Sequence, residues 1–168
     1  MQRRCFSRAV QCAALVALAI CFAVPECRAQ FSGNEVSSAS AFSIPQSQLI
    51  QPDALSRLLQ AGGAHQPMVL QVGSHVMFSQ AHVPGAIYAG QGSQASGLQL
   101  LESKVSSTPK NKPIVLYCGC CPWNHCPNVG PAYKRLRDLG FTNVKVLYLA
   151  NNFGDDWAYK GYRVEQGQ

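Results

Sequence analysis

The sequence predicts one α/β domain with a mostly parallel sheet and helices on both faces. Three observations carry that reading: short apolar runs alternate with segments of helical period, glycines and prolines stand where those segments begin and end, and no internal repeat divides the chain. A length of 168 residues, 47% hydrophobic and 13% charged, suits a single packed core rather than an array or a disordered tail.

The elements follow in order. In "PDALSRLLQAGG", Pro52 and Asp53 stand at a helix start, Leu55, Leu58 and Leu59 recur at helical spacing, and Gly62 is the stop. "PMVLQV" is a short apolar run suited to a strand covered on both faces. "HVPGAIYAG" sets a Pro-Gly turn before another short strand. "KPIVLYC" is the clearest strand, Ile114 to Tyr117, bounded by Pro113. "GPAYKRLRDLGF" is a helix with Pro131 in its first turn, Leu136 and Leu139 inward and Gly140 as its stop. "NVKVLYL" is a further strand, and a polar loop leads from it to a last helical segment in "DDWAYKGYRVE".

The first 29 residues have a different character. Arg3, Arg4 and Arg8 precede an apolar core from Ala9 to Val24, then Pro25 and the small residues Cys27 and Ala29. That order is the one a secretory signal peptide uses, and the core is shorter than the roughly 20 residues a spanning helix needs. The expected organisation is a signal peptide at 1–29, a Ser- and Ala-rich flexible arm at 30–45 and the folded domain at 46–168, in the periplasm or secreted. Cleavage removes four of the 14 basic residues, one of the eight acidic and four of the eight cysteines, leaving a net charge of +3 and four cysteines. A charge that small, with no lysine or arginine run, argues against a nucleic-acid partner. No stable membrane span is expected after cleavage.

The four remaining cysteines, Cys118, Cys120, Cys121 and Cys126, all lie in "LYCGCCPWNHCPN", directly after the best strand. In a parallel sheet ligands bind beyond the carboxyl ends of the strands, so Cys118 stands where chemistry is expected. Facing the start of the following helix, its sulfur would meet unpaired amides and the positive end of a helix dipole, which favour a thiolate. Three uses of the cysteines compete. One is a sulfur-carrying nucleophile at Cys118, against the bland alternative of an inert buried thiol. A second is a disulfide from Cys120 or Cys121 to Cys126, with the remaining thiol able to resolve a persulfide or sulfenate on Cys118. Adjacent Cys120 and Cys121 cannot pair without strain. A third is a metal ion held by these thiols and His125; zinc is disfavoured for want of a distant second ligand pair and copper(I) is less demanding. Neither a metal nor another cofactor is taken as part of the expected site.

The order of segments resembles the rhodanese family over about residues 44 to 165. The likeness rests on "AHVPGAIYAG", on "KPIVLYC", whose last residue falls at the family's sulfur-carrying cysteine, and on "LRDLGFTNVKVLYL" with "WAYKGYRVE". It implies a rhodanese-like domain with a mostly parallel five-stranded sheet, acting as a sulfurtransferase. Cys118 would take sulfane sulfur from thiosulfate or a persulfide, hold it as a persulfide and pass it to a thiol or other thiophilic acceptor. The active-site loop would comprise Gly119, Cys120, Cys121, Trp123, Asn124, His125 and Cys126, with amides from Gly119 to Cys126 as an anion cradle.

Two departures stand out. Gln71 and Gly73 replace the family's Asp-x-Arg, and Met77 stands where a glutamate is common, which implies weak turnover with thiosulfate. The loop is longer than usual and lacks the arginine that phosphatases of this fold require to hold phosphoryl oxygens. The alternative reading is therefore a catalytically poor rhodanese fold serving as a thiol redox, disulfide or metal-binding module. Around the loop, His82 would line the rim or, more simply, brace its Pro-Gly turn. Trp123 would cover the site or anchor the loop. Asn124 and Asn128 would point amides at sulfur or cap the next helix, capping being the expected role of Asn128. Lys134, Arg135 and Arg137 lie on the helix behind the loop.

Overall fold

The computed structural model describes residues 44–63 and 66–167. The expected signal peptide and all of the expected arm before residue 44 lie outside the described residues. Five strands, β1 (Leu49–Ile50), β2 (Met68–Gln71), β3 (Ile87–Tyr88), β4 (Ile114–Tyr117) and β5 (Val144–Leu147), form one sheet in the order β1-β5-β4-β2-β3. Every strand pair in it is parallel. Four helices connect them: α1 (Pro52–Ala61), α2 (His75–Gln80), α3 (Ala95–Val105) and α4 (Val129–Asp138).

The central strand shows why the sequence takes this form. All four residues of β4 are buried. A period of two sends Ile114 and Leu116 into the core formed with Leu101 and Val105 of α3 and Ala132 and Leu136 of α4. Val115 and Tyr117 enter the opposite core, with Leu55 of α1, Phe153 and Trp157. A continuous apolar run, with no polar alternation, is what a strand covered on both faces requires. Leu116 is held from both sides, paired with Leu70 of β2 and Val146 of β5.

Helix α4 keeps its expected inward residues, with Leu136 fully buried, Leu139 packed against the core and Gly140 just beyond the end at a φ of 86°. In α1, Leu55 is buried and Leu59 packs on the core, whereas Leu58, expected to share that face, is 42% exposed. The last helical segment shrinks to one wide turn, Gly154–Ala158, which seats Trp157 in the core. From there the chain runs back in extended form, and Glu165 exchanges backbone hydrogen bonds with His82. β1, α2 and α3 are elements that the sequence patterns above do not announce.

Candidate functional site

Cys118 extends the alternation of β4 by one step, which puts its side chain on the α3/α4 face at the carboxyl edge of the sheet. Gly119 then turns the chain at a φ of 87°, a conformation that disfavours side chains, and a Cβ there would also meet Phe153 Cβ at 2.9 Å. Its carbonyl accepts a hydrogen bond from Phe153 N–H at 3.0 Å, tying the cysteine loop to the loop after β5. Beyond it, Trp123–His125 form a single 3₁₀ turn. Trp123 packs against Tyr148 and its N–H donates to Leu149 carbonyl at 3.1 Å, so of the two expected roles this side chain anchors the loop.

The loop returns three of its four sulfurs to one place. Cys118, Cys120 and Cys126 have their sulfurs within 4.8 Å of one another, and Cys118 and Cys120 are 3.2 Å apart. Cys121 lies 3.2 Å from Cys120 and outside the triple, while Asn124 and His125 point outward and are exposed. All four cysteines are free thiols, so the disulfide considered between Cys120 or Cys121 and Cys126 is not formed here.

This arrangement makes Cys118 acidic. Its thiol is held down at about 6, against an ordinary 9.0, first by the hydrogen bond that the Cys126 thiol donates to it. Burial opposes ionisation; the Cys120 amide, the Cys120 thiol and the Asn128 side-chain amide add to the lowering. Asn128 Nδ2 donates to the sulfur at 3.4 Å. The donors carry the opposite perturbation. Burial and its bonds to neighbouring thiols push Cys120 up to about 12, and donation to Cys118 drives Cys126 far above the thiol range. One thiolate with two neutral thiol donors is therefore the ground state at neutral pH.

The cradle differs from the expected one in its parts. Of the backbone amides from Gly119 to Cys126, the Cys120 amide serves Cys118, while the amides of Asn128 and Val129 at the start of α4 turn to the Cys126 sulfur. Side chains do most of what backbone was expected to do. Asn128 makes no side-chain capping bond to α4, contrary to expectation. It is buried, and its Oδ1 accepts from Ser93 N–H at 3.1 Å and Ser93 Oγ at 2.8 Å, which turns the Nδ2 toward sulfur.

The two residues that stand in place of the charged pair both lie against Cys118. Gln71 is buried between Cys118 and Gly73, donating from Nε2 to the Cys118 carbonyl at 3.0 Å and accepting from Gly73 N–H at 3.1 Å. A Cβ on Gly73 would lie 2.7 Å from Cys118 Sγ, so glycine is what leaves the thiol its room. Both positions depart from the family's charged pair, and their spacing of two, at the end of β2 and just beyond it, is the sequence signal that puts them on one face. His82, by contrast, stays away from the sulfur. It is buried, its Nδ1 lies 2.8 Å from the Phe78 carbonyl, its ring stacks on Phe78, and Nε2 lies 3.9 Å from Glu165. It braces the turn and is not a rim residue.

Cys118 and Cys120 open onto a hollow of about 240 Å³, walled by Gln71, Met77, Gln80, Tyr117, Asn152 and Phe153. Among the described residues, no lysine or arginine lines it. Lys134 is paired with Asp138 and Arg135 with Glu102 on the outer face of α4.

Comparison with known proteins places the fold. The BH2092 protein of Bacillus halodurans is 24% identical, overlapping 71% of this chain and 77% of its own with a TM-score of 0.56. The rhodanese-like domain of the Anabaena sp. Alr3790 protein, solved in solution, is 20% identical over 71% of this chain and 79% of that one, with a TM-score of 0.52. An anaerobic ergothioneine biosynthesis enzyme from Chlorobium limicola, in complex with trimethyl histidine, is 20% identical over 71% of this chain but only 28% of its own, with a TM-score of 0.54. At these identities the likeness is one of fold. No curated protein matches the sequence. The sequence does match the rhodanese-like domain family over residues 51–149, more than half of its length, and with the parallel sheet and the cysteine at the end of β4 this chain belongs to that family.

Proposed function

We propose that this chain is an exported sulfurtransferase that carries sulfane sulfur as a persulfide on Cys118. One observation carries the reading: a single thiol, lowered to about 6 by donors from Cys126, Cys120 and Asn128, opens onto a hollow at the carboxyl edge of a parallel sheet. The Cys118 thiolate attacks the outer sulfur of a donor such as a persulfide or thiosulfate. The donor's S–S bond breaks, its thiolate or sulfite leaves, and a new S–S bond leaves Cys118 as a persulfide anion. The charge then lies on the outer sulfur, which would project toward the hollow that Cys118 and Cys120 line. An acceptor thiolate then attacks the outer sulfur and releases Cys118 as the thiolate, with no net oxidation of the protein. The signal-like segment at 1–29 supports action in the periplasm or outside the cell.

The test is the intact mass of the mature protein after exposure to glutathione persulfide and, separately, to thiosulfate. Wild type gains one sulfur that reductant removes, and Cys118→Ser gains none. With no cation in the lining to receive a dianion, thiosulfate loads at least about tenfold more slowly than the persulfide. Transfer that persists in Cys118→Ser sinks the assignment of the nucleophile. A second reading has its own observation, the 3.2 Å between the Cys118 and Cys120 sulfurs, which suits a thiol redox module. Under it, mild oxidant removes two hydrogens and no donor adds sulfur.

A further inference from the structure

Three sulfurs converging on one point do more than acidify one of them. We infer that Cys118, Cys120 and Cys126 form a binding site for a soft monovalent cation, copper(I), held by thiolates alone. This inference is independent of sulfur transfer, since it needs only the thiols and their placement.

The donor set decides the class of ion. Among the described residues, no histidine, aspartate or glutamate joins the three cysteines. His125, the nearest histidine in sequence, is exposed and does not join the cluster. Structural zinc is almost always four-coordinate, and among the described residues no fourth ligand converges with the three, the Cys121 sulfur lying outside the triple. Thiolate-only sites select copper(I), which is satisfied by two or three sulfurs.

The spacing agrees. With metal–sulfur bonds of about 2.3 Å, three sulfurs around a trigonal ion stand about 3.9 Å apart. The cluster already spans that value, with 3.2 Å between Cys118 and Cys120 and no pair beyond 4.8 Å. Two of the ligands are fixed by structure around them. Cys118 ends β4, and Cys126 packs with Trp123 against the core and receives the first amides of α4. Cys120, the third ligand, is exposed.

Access and charge agree as well. Cys118 and Cys120 reach the hollow, and the thioether of Met77 lines its wall on the way in. Neither that wall nor the loop from Cys118 to Asn128 carries a lysine or arginine to repel a cation. On binding, Cys120 and Cys126 give their protons to solvent as metal–sulfur bonds form. Copper stays in its +1 state and no electron is transferred. Loaded protein has no free thiolate at Cys118, so metal binding and sulfur loading exclude each other.

The experiment titrates the reduced, metal-free mature chain with copper(I), without oxygen, against bicinchoninate as a coloured competitor. Wild type withdraws one equivalent of copper, and X-ray absorption shows sulfur as the only ligand type. Cys120→Ser and Cys126→Ser each weaken binding tenfold or more, and Cys121→Ser leaves it unchanged. Circular dichroism establishes that each variant is folded, and Cys121→Ser serves as the matched control for a change in the same loop. Three results would overturn the inference: no withdrawal of copper, equal affinity in the Cys120 and Cys126 variants, or zinc displacing copper at equal concentration. Sulfur loading, measured on metal-free protein, can fail without touching any of these outcomes.

Discussion

A thiol held down at about 6 by its hydrogen-bond donors is the property on which the proposed chemistry of Cys118 turns. Alkylation by iodoacetamide should follow the thiolate, rising with a midpoint near pH 6 in wild type. Because Cys126 supplies the largest lowering, Cys126→Ala should move that midpoint up by about one unit or more. A midpoint that stays near 6 in the variant would show that Cys126 is no donor. The same perturbation acts on stability. A folded value below the unfolded 9.0 contributes stability that is complete above about 9 and is lost as pH falls through 6, whereas the raised thiol of Cys120 contributes in the opposite sense, losing its share above 9. Gly73 tests the packing at the same atom. Gly73→Ala puts a methyl 2.7 Å from the sulfur, and an overpacking cost of about 1–3 kcal/mol should appear in urea unfolding, with slower alkylation at every pH. Cys118 was legible in the sequence because it directly follows the clearest apolar strand of the domain. Asn128 was not, because its orientation depends on Ser93, 35 positions earlier, and no local pattern records that bond.

At the scale of elements, the sequence was most informative where a segment is long or apolar on both faces. β4 and α4 fall where periodicity puts them and β3 follows its Pro-Gly turn, whereas β1, only two residues long and without such a marker, is too short for any period to declare itself. α3 went unannounced since its buried face, Gly97, Leu101 and Val105, begins with a glycine that contributes no apolar signal. That glycine is there for close approach: a Cβ on it would meet the Gln91 carbonyl at 2.0 Å. Gly92 serves α4 in the same way, with the Asn128 carbonyl 2.0 Å from where its Cβ would be. Gly92→Ala should therefore displace the start of α4, carry Asn128 away from the sulfur, and raise the alkylation midpoint of Cys118 while lowering the melting temperature. A lowered melting temperature with an unchanged midpoint would mean that the strand-to-helix contact does not govern the thiol.

At the scale of the whole molecule, the hollow beside Cys118 has no lysine or arginine in its described lining. No cation focuses an anion onto Cys118, so loading by an anionic persulfide should change less than about twofold between 0.01 M and 0.5 M salt, where a steered encounter would slow by an order of magnitude or more. Stopped-flow loading at the two salt concentrations distinguishes the cases. The fold class followed from the alternation of segments alone, but the strand order did not, because nothing local to Leu49 and Ile50 says that they pair with β5 at the other end of the domain. That pairing has a consequence for synthesis. Among the described residues β1 is the first strand and pairs only with β5, the last, so this edge of the sheet cannot form until almost the whole domain has been released. A chain built in this order remains open and threadable while it is being made, and seals its amino-terminal edge as one of its final acts of folding.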